Sequence, residues 1–366
     1  MSTTDSLPCI GPPVRRRTVV VVVLAAVAAL LAGCGLGSAE ATAPGPAPAS
    51  QLRLGYFANV THAPALVGVS QGFFAAHLGS TKLTTQVFNA GPAAIEALYA
   101  GAIDAAYVGP NPAINGYLRS KGKALRIVAG ATSGGAQLVV RPGISSAADL
   151  RGANLASPQL GGSQDVALRS WLGAQGLKTS TSGGGDVEIT PTENAQTFQL
   201  FRQGRIDGAW VPEPWASRLV LDAGAKVLVD ERSLWPRGQF VTTQLIVSKT
   251  FLDQHPATVR ALLQGQVEAV DWINANPTRA PGVVNAEIAK TTGKPLSQAV
   301  IARAFANIEV TVDPLAGSLR KDLANAVAAG VARDGDLVGI YDLRPLNAIL
   351  DAAGRPAVSA AGLGQQ

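Results

Sequence analysis

Short apolar runs alternate with segments of helical periodicity along most of this chain. Strands that alternate with helices usually pair in parallel, so the pattern predicts an α/β protein with parallel sheets. The predicted strands cover residues 52–57, 83–88, 103–108, 124–129, 137–140, 153–156, 187–189, 206–211, 226–229 and 240–247. The predicted helices cover residues 65–71, 93–100, 111–119, 146–150, 165–175, 195–203, 214–222, 255–274, 297–306, 315–330 and 346–353.

One helix–strand–loop unit occurs twice. Gly101-Ala-Ile-Asp-Ala-Ala-Tyr-Val108 and Gly204-Arg-Ile-Asp-Gly-Ala-Trp-Val211 each follow a helical segment and lead into a proline-bracketed loop. Each glycine suits a helix C-terminus, where a positive φ is needed, and each following run is typical of a short buried strand. Asp104 and Asp207 are expected to cap local backbone at the strand starts. The repeat predicts two similar lobes that hold a ligand between them.

The chain of 366 residues is long enough for two domains with cores of their own. We expect the first lobe to contain residues 51–140 and 241–352, and the second to contain residues 141–240. The long apolar run at 240–247 would carry the chain back to the first lobe. The C-terminal residues 353–366 are expected to form a disordered tail.

The N-terminus has the features of a bacterial lipoprotein signal peptide. Arg15-Arg16-Arg17 precedes an apolar run at 18–32, which is short for a membrane span, and Leu31-Ala-Gly-Cys34 matches a lipobox. We expect residues 1–33 to be removed and Cys34 to carry lipid, with residues 34–50 as a flexible tether. The alternative is a buried cysteine in an apolar helix. The sequence does not decide between the general and the twin-arginine export route.

Composition excludes several classes of function. Charged residues make up 15% of the chain and the net charge is only +5, without basic clusters in the mature part, which argues against nucleic acid as a partner. The two cysteines are Cys9 in the signal and Cys34, so no thiol remains for a disulfide, a nucleophile or a metal. The three histidines are widely spread, and no phosphate-binding or nucleophile-elbow motif occurs. We therefore expect neither a cofactor nor a metal, and no enzymatic activity.

The candidate ligand site consists of five loops that follow predicted strands, because open parallel sheets bind ligands beyond the carboxyl ends of their strands. Four of these loops lead into helices, whose N-termini attract anions, and none contains Lys or Arg. Such loops suit a compact anion with a single charge. The candidate residues are Asn59, Thr61, His62, Gly109, Asn111, Thr132, Ser133, Gly134, Gln159, Gly162, Ser163, Gln164, Glu213 and Trp215.

Several of these residues also have a purely structural interpretation. The Ser, Thr and Asn residues are ordinary helix N-caps, and the pair at 161–162 is typical of a turn. His62 fits a surface histidine as well as a ligand. Trp215, like Tyr107 and Trp210, fits a core position. Glu213 fits either contact with a ligand ammonium group or the first turn of a helix.

Three phrases resemble a known family: Phe88-Asn-Ala-Gly-Pro-Ala-Ala-Ile-Glu-Ala-Leu98, Gly101-Ala-Ile-Asp-Ala-Ala-Tyr-Val-Gly109 and Trp210-Val-Pro-Glu-Pro-Trp215. They are similar to the solute-binding proteins of the nitrate/sulfonate/taurine class of ABC importers. The resemblance implies a type II periplasmic-binding-protein fold, with two α/β lobes, two crossing strands and a ligand cleft. It also implies that the binding loops fall on the candidate residues.

The expected function is therefore that of an extracytoplasmic, lipid-anchored binding protein on the outer face of the cytoplasmic membrane. It would act as a monomer, capture a small organic anion by lobe closure, and deliver it to an ABC permease with a separate ATPase subunit. An aliphatic sulfonate is the expected ligand, and nitrate, taurine and a pyrimidine precursor of thiamine are the alternatives. An enzyme on the same fold, and a sensing lipoprotein without a transporter, remain as further alternatives.

Overall fold

The computed structural model describes residues 47–366, which contain two β-sheets surrounded by helices. The strands are β1 (Gln51–Phe57), β2 (Lys82–Phe88), β3 (Ala105–Val108), β4 (Leu125–Gly134), β5 (Ala136–Val140), β6 (Asn154–Ser157), β7 (Glu188–Pro191), β8 (Gly208–Pro212), β9 (Lys226–Asp230), β10 (Val241–Ser248), β11 (Ile308–Val310), β12 (Tyr341–Asp342) and β13 (Gly364–Gln365). The helices are α1 (Ala63–Ser70), α2 (Phe73–Leu78), α3 (Gly91–Tyr99), α4 (Pro110–Arg119), α5 (Ser163–Ala174), α6 (Asn194–Arg202), α7 (Trp215–Ala223), α8 (Lys249–Gln254), α9 (Pro256–Ala275), α10 (Ala280–Thr292), α11 (Gln298–Ala306), α12 (Leu319–Ala328) and α13 (Arg344–Ala352). Short 3-10 turns at Val60–His62 and Glu231–Leu234 follow β1 and β9.

The first sheet has the strand order β13-β12-β4-β10-β3-β1-β2, and β11 pairs with β4. Strands β1, β2 and β3 are parallel, as the alternating pattern predicts, whereas β10 runs antiparallel to both of its neighbours. We call the part of the molecule built on this sheet lobe 1. Its sheet is buried on both faces, because neighbouring side chains of β3 pack into two separate apolar clusters.

The second sheet has the order β7-β6-β8-β5-β9 and forms lobe 2. Strands β6, β7 and β8 are parallel, and β5 is antiparallel to β8 and β9. Helices α5, α6 and α7 follow the parallel strands and bury apolar residues on the two faces of the sheet. The architecture is thus the predicted α/β fold of two lobes.

The chain crosses between the lobes twice, between β4 and β5 and between β9 and β10. The first crossing corrects the sequence-based boundary at residue 140, because β5 already belongs to the sheet of lobe 2. The turn lies at Gly134 and Gly135, which both have a positive φ, +74° and +76°. Glycine tolerates this conformation, so the chain changes sheets within a single tight turn.

The repeated unit has equivalent geometry in the two lobes. Gly101 and Gly204 both have a positive φ after a helix, as predicted. Asp104 accepts a hydrogen bond from the backbone N–H of Arg53 (2.8 Å), and Asp207 accepts one from the backbone N–H of Asn154 (2.9 Å). Each aspartate therefore binds the neighbouring parallel strand, which confirms its predicted role as a backbone cap.

The N-terminal segment was expected to contain a signal peptide and a tether. The predicted signal peptide, Cys34 and most of the tether lie outside the described residues. The end of the tether is held in place, because Thr258 and Thr81 form hydrogen bonds with the backbone of Ala49. Within residues 47–366, no helix combines the length and the apolarity needed to cross a bilayer.

The C-terminal segment contradicts the expectation of a disordered tail. Strand β13 pairs in parallel with β12 and extends the sheet of lobe 1. Leu363 and Ala360 are buried in the second apolar cluster of that lobe. The few apolar residues of this segment are separated by Gly and Ala and show little periodicity in the sequence. The segment is ordered because these residues are buried.

Candidate functional site

A cavity of about 40 Å³ lies between the lobes, at the carboxyl ends of six parallel strands. Strands β1, β2 and β3 contribute from lobe 1, and β6, β7 and β8 from lobe 2. The crossing strand β10 closes the cavity from the hinge side. The lining residues are Phe57, Asn59, Thr61, His62, Asn89, Ala90, Gly91, Gly109, Pro112, Pro158, Gln159, Gly162, Ser163, Gln164, Asn194, Pro212, Thr242 and Thr243.

More than half of the candidate residues line this cavity, and those from distant parts of the sequence meet there. They are Asn59, Thr61, His62, Gly109, Gln159, Gly162, Ser163 and Gln164. Asn59 and Gln159 come from different lobes, so only the folded chain brings them together. Their role in ligand binding stays a prediction.

The other candidates lie outside the lining, and four of them hold the hinge side together. Asn111 donates through Nδ2 to the carbonyl of Asp322 (3.1 Å), and Thr132 donates to the carbonyl of Thr61 (2.7 Å). Ser133 accepts from the backbone N–H of Phe240 (3.4 Å), and the Gly134 carbonyl accepts from Thr242. The three side chains bind nearby backbone groups and Gly134 binds through its own carbonyl, so all four lie outside the expected ligand site.

Glu213 is directed away from the cavity and is completely buried. Its Oε1 accepts hydrogen bonds from Arg303 (3.1 Å) and Asn307 (2.7 Å) of lobe 1, and its Oε2 accepts one from the N–H of Ser217 (3.0 Å). Of its two expected roles, contact with a ligand ammonium group therefore does not fit. Glu213 instead forms an ion pair between the lobes on the side of α11.

Trp215 lies at the mouth of the cleft. Its Nε1 donates to Oδ1 of Asn59 (3.1 Å), and nearby Asn89 donates to Glu193 (3.1 Å). Both hydrogen bonds connect lobe 1 with lobe 2. Trp215 thus covers the entrance and does not line the inner cavity.

Several helices begin at the cavity wall with backbone N–H groups that no side chain caps in the described part of the chain. These are α3, α5 and α6, with the N-cap residues Ala90, Gly162 and Glu193. In α4, the N–H of Asn111 donates to Oγ of Ser163 (3.4 Å). The first-turn N–H groups of a helix have no intrahelical acceptor and carry the positive end of the helix dipole. Proline at the start of α3 and α4 reduces the number of donors there, so α5 and α6 of lobe 2 provide most of them.

His62 is a neutral hydrogen-bond donor in this setting. Complete burial lowers the pKa of His62 to about 3, which keeps the imidazole uncharged at neutral pH. Its Nδ1 accepts from the backbone N–H of Phe57 (3.3 Å), so the proton is assigned to Nε2. The ring stacks on Phe57 with centroids 4.2 Å apart. The site therefore offers the Nε2–H group without a positive charge.

Among residues 47–366, no Asp, Glu, Lys or Arg lines the cavity. The same part of the chain contains no cluster of three or more His, Cys, Asp or Glu side chains that could hold a metal ion. The sequence did not single out the remaining polar lining residues Asn89, Asn194, Thr242 and Thr243. Asn194 was recognisable as the start of a predicted helix, but nothing local marks which face of the crossing strand meets the cleft.

Comparison with known proteins places this geometry in a family. A model of the NMT1-like family matches residues 45–288, about two thirds of the chain. The chain belongs to the NMT1-like family. The taurine-binding periplasmic protein of Escherichia coli K12 is 27% identical over 217 residues, which cover 58% of this chain and 64% of that protein. The bicarbonate-binding protein CmpA of Synechococcus sp. is 30% identical over 117 residues, which cover 32% of this chain and 25% of CmpA.

The fold of this NMT1-like protein has experimental counterparts. The alkanesulfonate-binding protein SsuA of Xanthomonas axonopodis pv. citri, bound to MOPS, superposes with a TM-score of 0.66 at 23% identity, over 79% of this chain and 96% of SsuA. This similarity confirms the periplasmic-binding-protein fold. These relatives are all named as binding proteins, which is the class of protein that the sequence predicts.

Proposed function

We propose that this chain is the extracytoplasmic ligand-binding component of an ABC importer and that it captures a compact oxyanion with one negative charge. The observation that carries the proposal is the uncharged cavity into which uncapped helix N-termini and the neutral His62 direct their donors. We infer the sulfonate group of a short aliphatic sulfonate as the ligand.

The charge of the ligand follows from the lining. Backbone N–H groups, helix dipoles and neutral side chains stabilise an anion without a countercharge. A doubly charged anion such as sulfate would lose far more hydration free energy on entering a site without a cation. The site should therefore favour a monoanion over sulfate.

Lobe closure would couple ligand binding to a change of shape. Both lobes line the cavity, so a bound anion contacts lobe 2 only when the cleft is closed. A ligand stabilises the conformation in which it makes more contacts. The permease would then recognise the closed, loaded protein.

A four-atom oxyanion such as nitrate or bicarbonate is a second candidate, favoured by the size of the cavity. A cavity needs about 10–15 Å³ to hold one water-sized group, so a cavity of about 40 Å³ holds about three or four heavy atoms. A sulfonate group fills such a space by itself. Its alkyl chain would have to pass the Asn59–Trp215 hydrogen bond at the cleft mouth.

We also propose the cellular setting. Residues 1–33 act as a signal peptide, and lipid on Cys34 with the following tether attaches the protein to the outer face of the cytoplasmic membrane. The partners are a permease and a separate ATPase subunit, and the binding protein itself is a monomer. The proposed lobe boundaries are those expected from the sequence, except that the first crossing lies at Gly134–Gly135 and the C-terminal segment belongs to lobe 1.

A ligand panel tests the function. Melting temperatures are measured with methanesulfonate, taurine, nitrate, bicarbonate, sulfate and hydroxymethylpyrimidine. A ligand present at a hundred times its Kd adds about 2.7 kcal/mol to the free energy of unfolding. Stabilisation by methanesulfonate supports the sulfonate, and stabilisation by nitrate or bicarbonate alone supports the second candidate. A response to the pyrimidine alone would overturn both.

The lipid anchor has its own test. The Cys34→Ala variant should lose lipid labelling and leave the membrane fraction, while Cys9→Ala should behave like the wild type. Lipid labelling that persists in Cys34→Ala would refute the anchor.

A further inference from the structure

A second, smaller cavity of about 10 Å³ lies behind the ligand cavity, and the two share Ser163, Gln164 and Thr242 as a wall. Helix α12 of lobe 1 borders it on one side, and the turn after β9 of lobe 2 borders it on the other. Its volume is about that of one water molecule. A change in the second cavity on lobe separation would therefore affect residues that also line the ligand cavity.

Two buried carboxyl groups from opposite lobes line this second cavity. Glu231 belongs to lobe 2 and Asp322 to lobe 1, and their exposed fractions are 7% and 6%. Oε2 of Glu231 accepts a hydrogen bond from Nε1 of Trp210 (2.8 Å). Oδ2 of Asp322 has no hydrogen-bond partner in residues 47–366. They are the only charged side chains among the described residues that line the cavity.

Neighbouring cations have other hydrogen-bond partners, although the charge of Lys321 partly opposes the rise in the pKa of Asp322. Lys321 donates to the carbonyl of Leu234 (2.7 Å) and lies over the ring of Trp235. Arg232 pairs with Asp230 (2.6 Å).

The other ionisable groups around the pair are neutral or acidic. They are Tyr341 and Asp313 on the side of Asp322, and Asp230 beside Glu231, while α4 and α5 present no charged group to this cavity. Burial raises the pKa of Glu231 to about 7. Burial and the negative charge of Glu231 together raise the pKa of Asp322 well above its usual range.

We propose that closure of the lobes traps at least one proton on the Glu231–Asp322 pair, so that anion capture is linked to proton uptake and weakens as the pH rises. The proposal rests on the proposed function in one respect, namely that the ligand is captured by closure. Two carboxylates cannot both keep their charge in a cavity of this size without a cation. Separation of the lobes would give the pair access to water.

The direction of the pH effect follows from these shifts. The closed state holds Glu231 with a pKa near 7 and the open state with a value near its usual 4.5, so closure takes up a proton between these limits. Anion affinity is then highest below about pH 4.5 and falls by at most about tenfold per pH unit for each proton as the pH rises towards 7. The contribution of His62 to the pH dependence has the opposite sign. Burial lowers its pKa, so closure would release a proton from His62 and favour binding as the pH rises. A comparison with variants of the pair separates the two effects.

The experiment measures two quantities in the full chain, the wild type and the variants Asp322→Asn and Glu231→Gln, at pH 5 to 8. The first is the Kd for methanesulfonate and for nitrate, neither of which titrates in this range. From pH 5 to 7.5 we expect the Kd of the wild type to rise at least fivefold relative to that of Glu231→Gln, which removes the group with a pKa near 7. Asp322→Asn keeps that group and should differ less from the wild type. The exposed Asp149→Asn is the control and should follow the wild type.

The second quantity is the distance between one spin label on each lobe without ligand. The wild type should shift towards the open state as the pH rises, and Glu231→Gln should shift less. If neither anion binds, the proposed function fails while the label distances still decide this inference. The proposal would be overturned if the Kd and the label distance depended equally on pH in the wild type and both variants. It would also be overturned if these quantities depended on cation concentration and not on pH. Glu231→Gln retains an acceptor for Trp210, so it keeps the test open if Asp322→Asn does not fold.

Discussion

At the scale of single residues, burial decides what each polar side chain of the cleft can do. His62 loses its charge to desolvation but keeps a donor that faces the cavity, whereas the equally buried Glu213 is held outside it by Arg303, Asn307 and Ser217. Both residues follow strands at the cleft edge. Their different roles come from the groups that they meet and not from their position in the sequence.

Replacing His62 with Phe should weaken anion binding by about tenfold to a hundredfold, since a hydrogen bond to a charged group contributes about 1.5–3 kcal/mol. Phe preserves the stacking on Phe57, but it removes the Nε2 donor together with the Nδ1 acceptor of the Phe57 N–H. Isothermal titration calorimetry with the anion identified in the panel provides the measurement. The control is His77→Gln, whose partly exposed ring pairs with Glu268 outside the cleft. An unchanged Kd would exclude His62 from the site.

At the scale of elements, the cleft depends on loops that are held from behind. Asp165 in α5 accepts hydrogen bonds from the N–H of Gly161 (3.0 Å), from Ser157 (2.8 Å) and from Arg169 (3.0 Å). This fully buried network shapes the loop that leads into α5. The loop then presents Gly162 and its neighbours to the cavity.

The variant Asp165→Asn should lower the free energy of unfolding by about 3 kcal/mol, because it leaves the charge of Arg169 buried without its partner. Urea unfolding measures the change. Lys249 and Asp253 form an exposed pair with the same spacing, so Asp253→Asn is the matched control and should change stability by less than about 1 kcal/mol. Equal effects of the two variants would contradict the importance of the buried network.

Gly109 tests the contact between α4 and α5 across the cleft. A Cβ at this position would lie 2.4 Å from Oγ of Ser163 in the other lobe, although the φ of −73° accepts any residue. Gly109→Ala should therefore oppose closure and raise the Kd at least about tenfold with little loss of stability. Gly173→Ala is the control, because nothing lies within 4 Å of its Cβ position, and helix propensity should make it slightly stabilising. A wild-type Kd for Gly109→Ala would show that closure does not require this contact.

At the scale of the whole molecule, polar contacts connect the lobes on opposite sides of the cavity. The Asn59–Trp215 hydrogen bond lies at the mouth, and Arg303 binds Glu213, Ser217 and Gln137 of lobe 2. The carboxyl pair of Glu231 and Asp322 lies behind the cavity. Ligand affinity is thus expected to depend on residues that never touch the ligand.

Arg303→Leu should destabilise the protein by about 3 kcal/mol, because Glu213 would keep a buried carboxylate without its ion-pair partner. Thermal or urea unfolding gives the value. Arg355 pairs with Asp271 at the surface, so Arg355→Leu should cost less than about 1 kcal/mol. If both variants unfold at the wild-type midpoint, the link between Arg303 and Glu213 contributes nothing measurable.

Much of the secondary structure was predictable from the sequence, because alternation and turn residues act locally. The strands β1, β2 and β6 lie within one residue of their expected bounds. Helices α2, α8 and α10 were not predicted. Helices α2 and α8 have only six residues each, and Ala, Gly and Pro give α10 little amphipathic contrast. The antiparallel direction of β5 and β10 likewise has no local signature.

By itself, the sequence determined two α/β lobes, the repeated Gly-x-Ile-Asp unit, the loops after the strands and the absence of Lys and Arg from those loops. Only the tertiary structure decided which loop residues face the cleft. It placed His62 and Gln159 in one cavity, turned Asn111 and Glu213 away from it, and brought Glu231 and Asp322 to the wall of a second cavity. The reason is physical: periodicity specifies which face of an element is buried, whereas the partner of a buried polar group depends on chain segments far away in sequence.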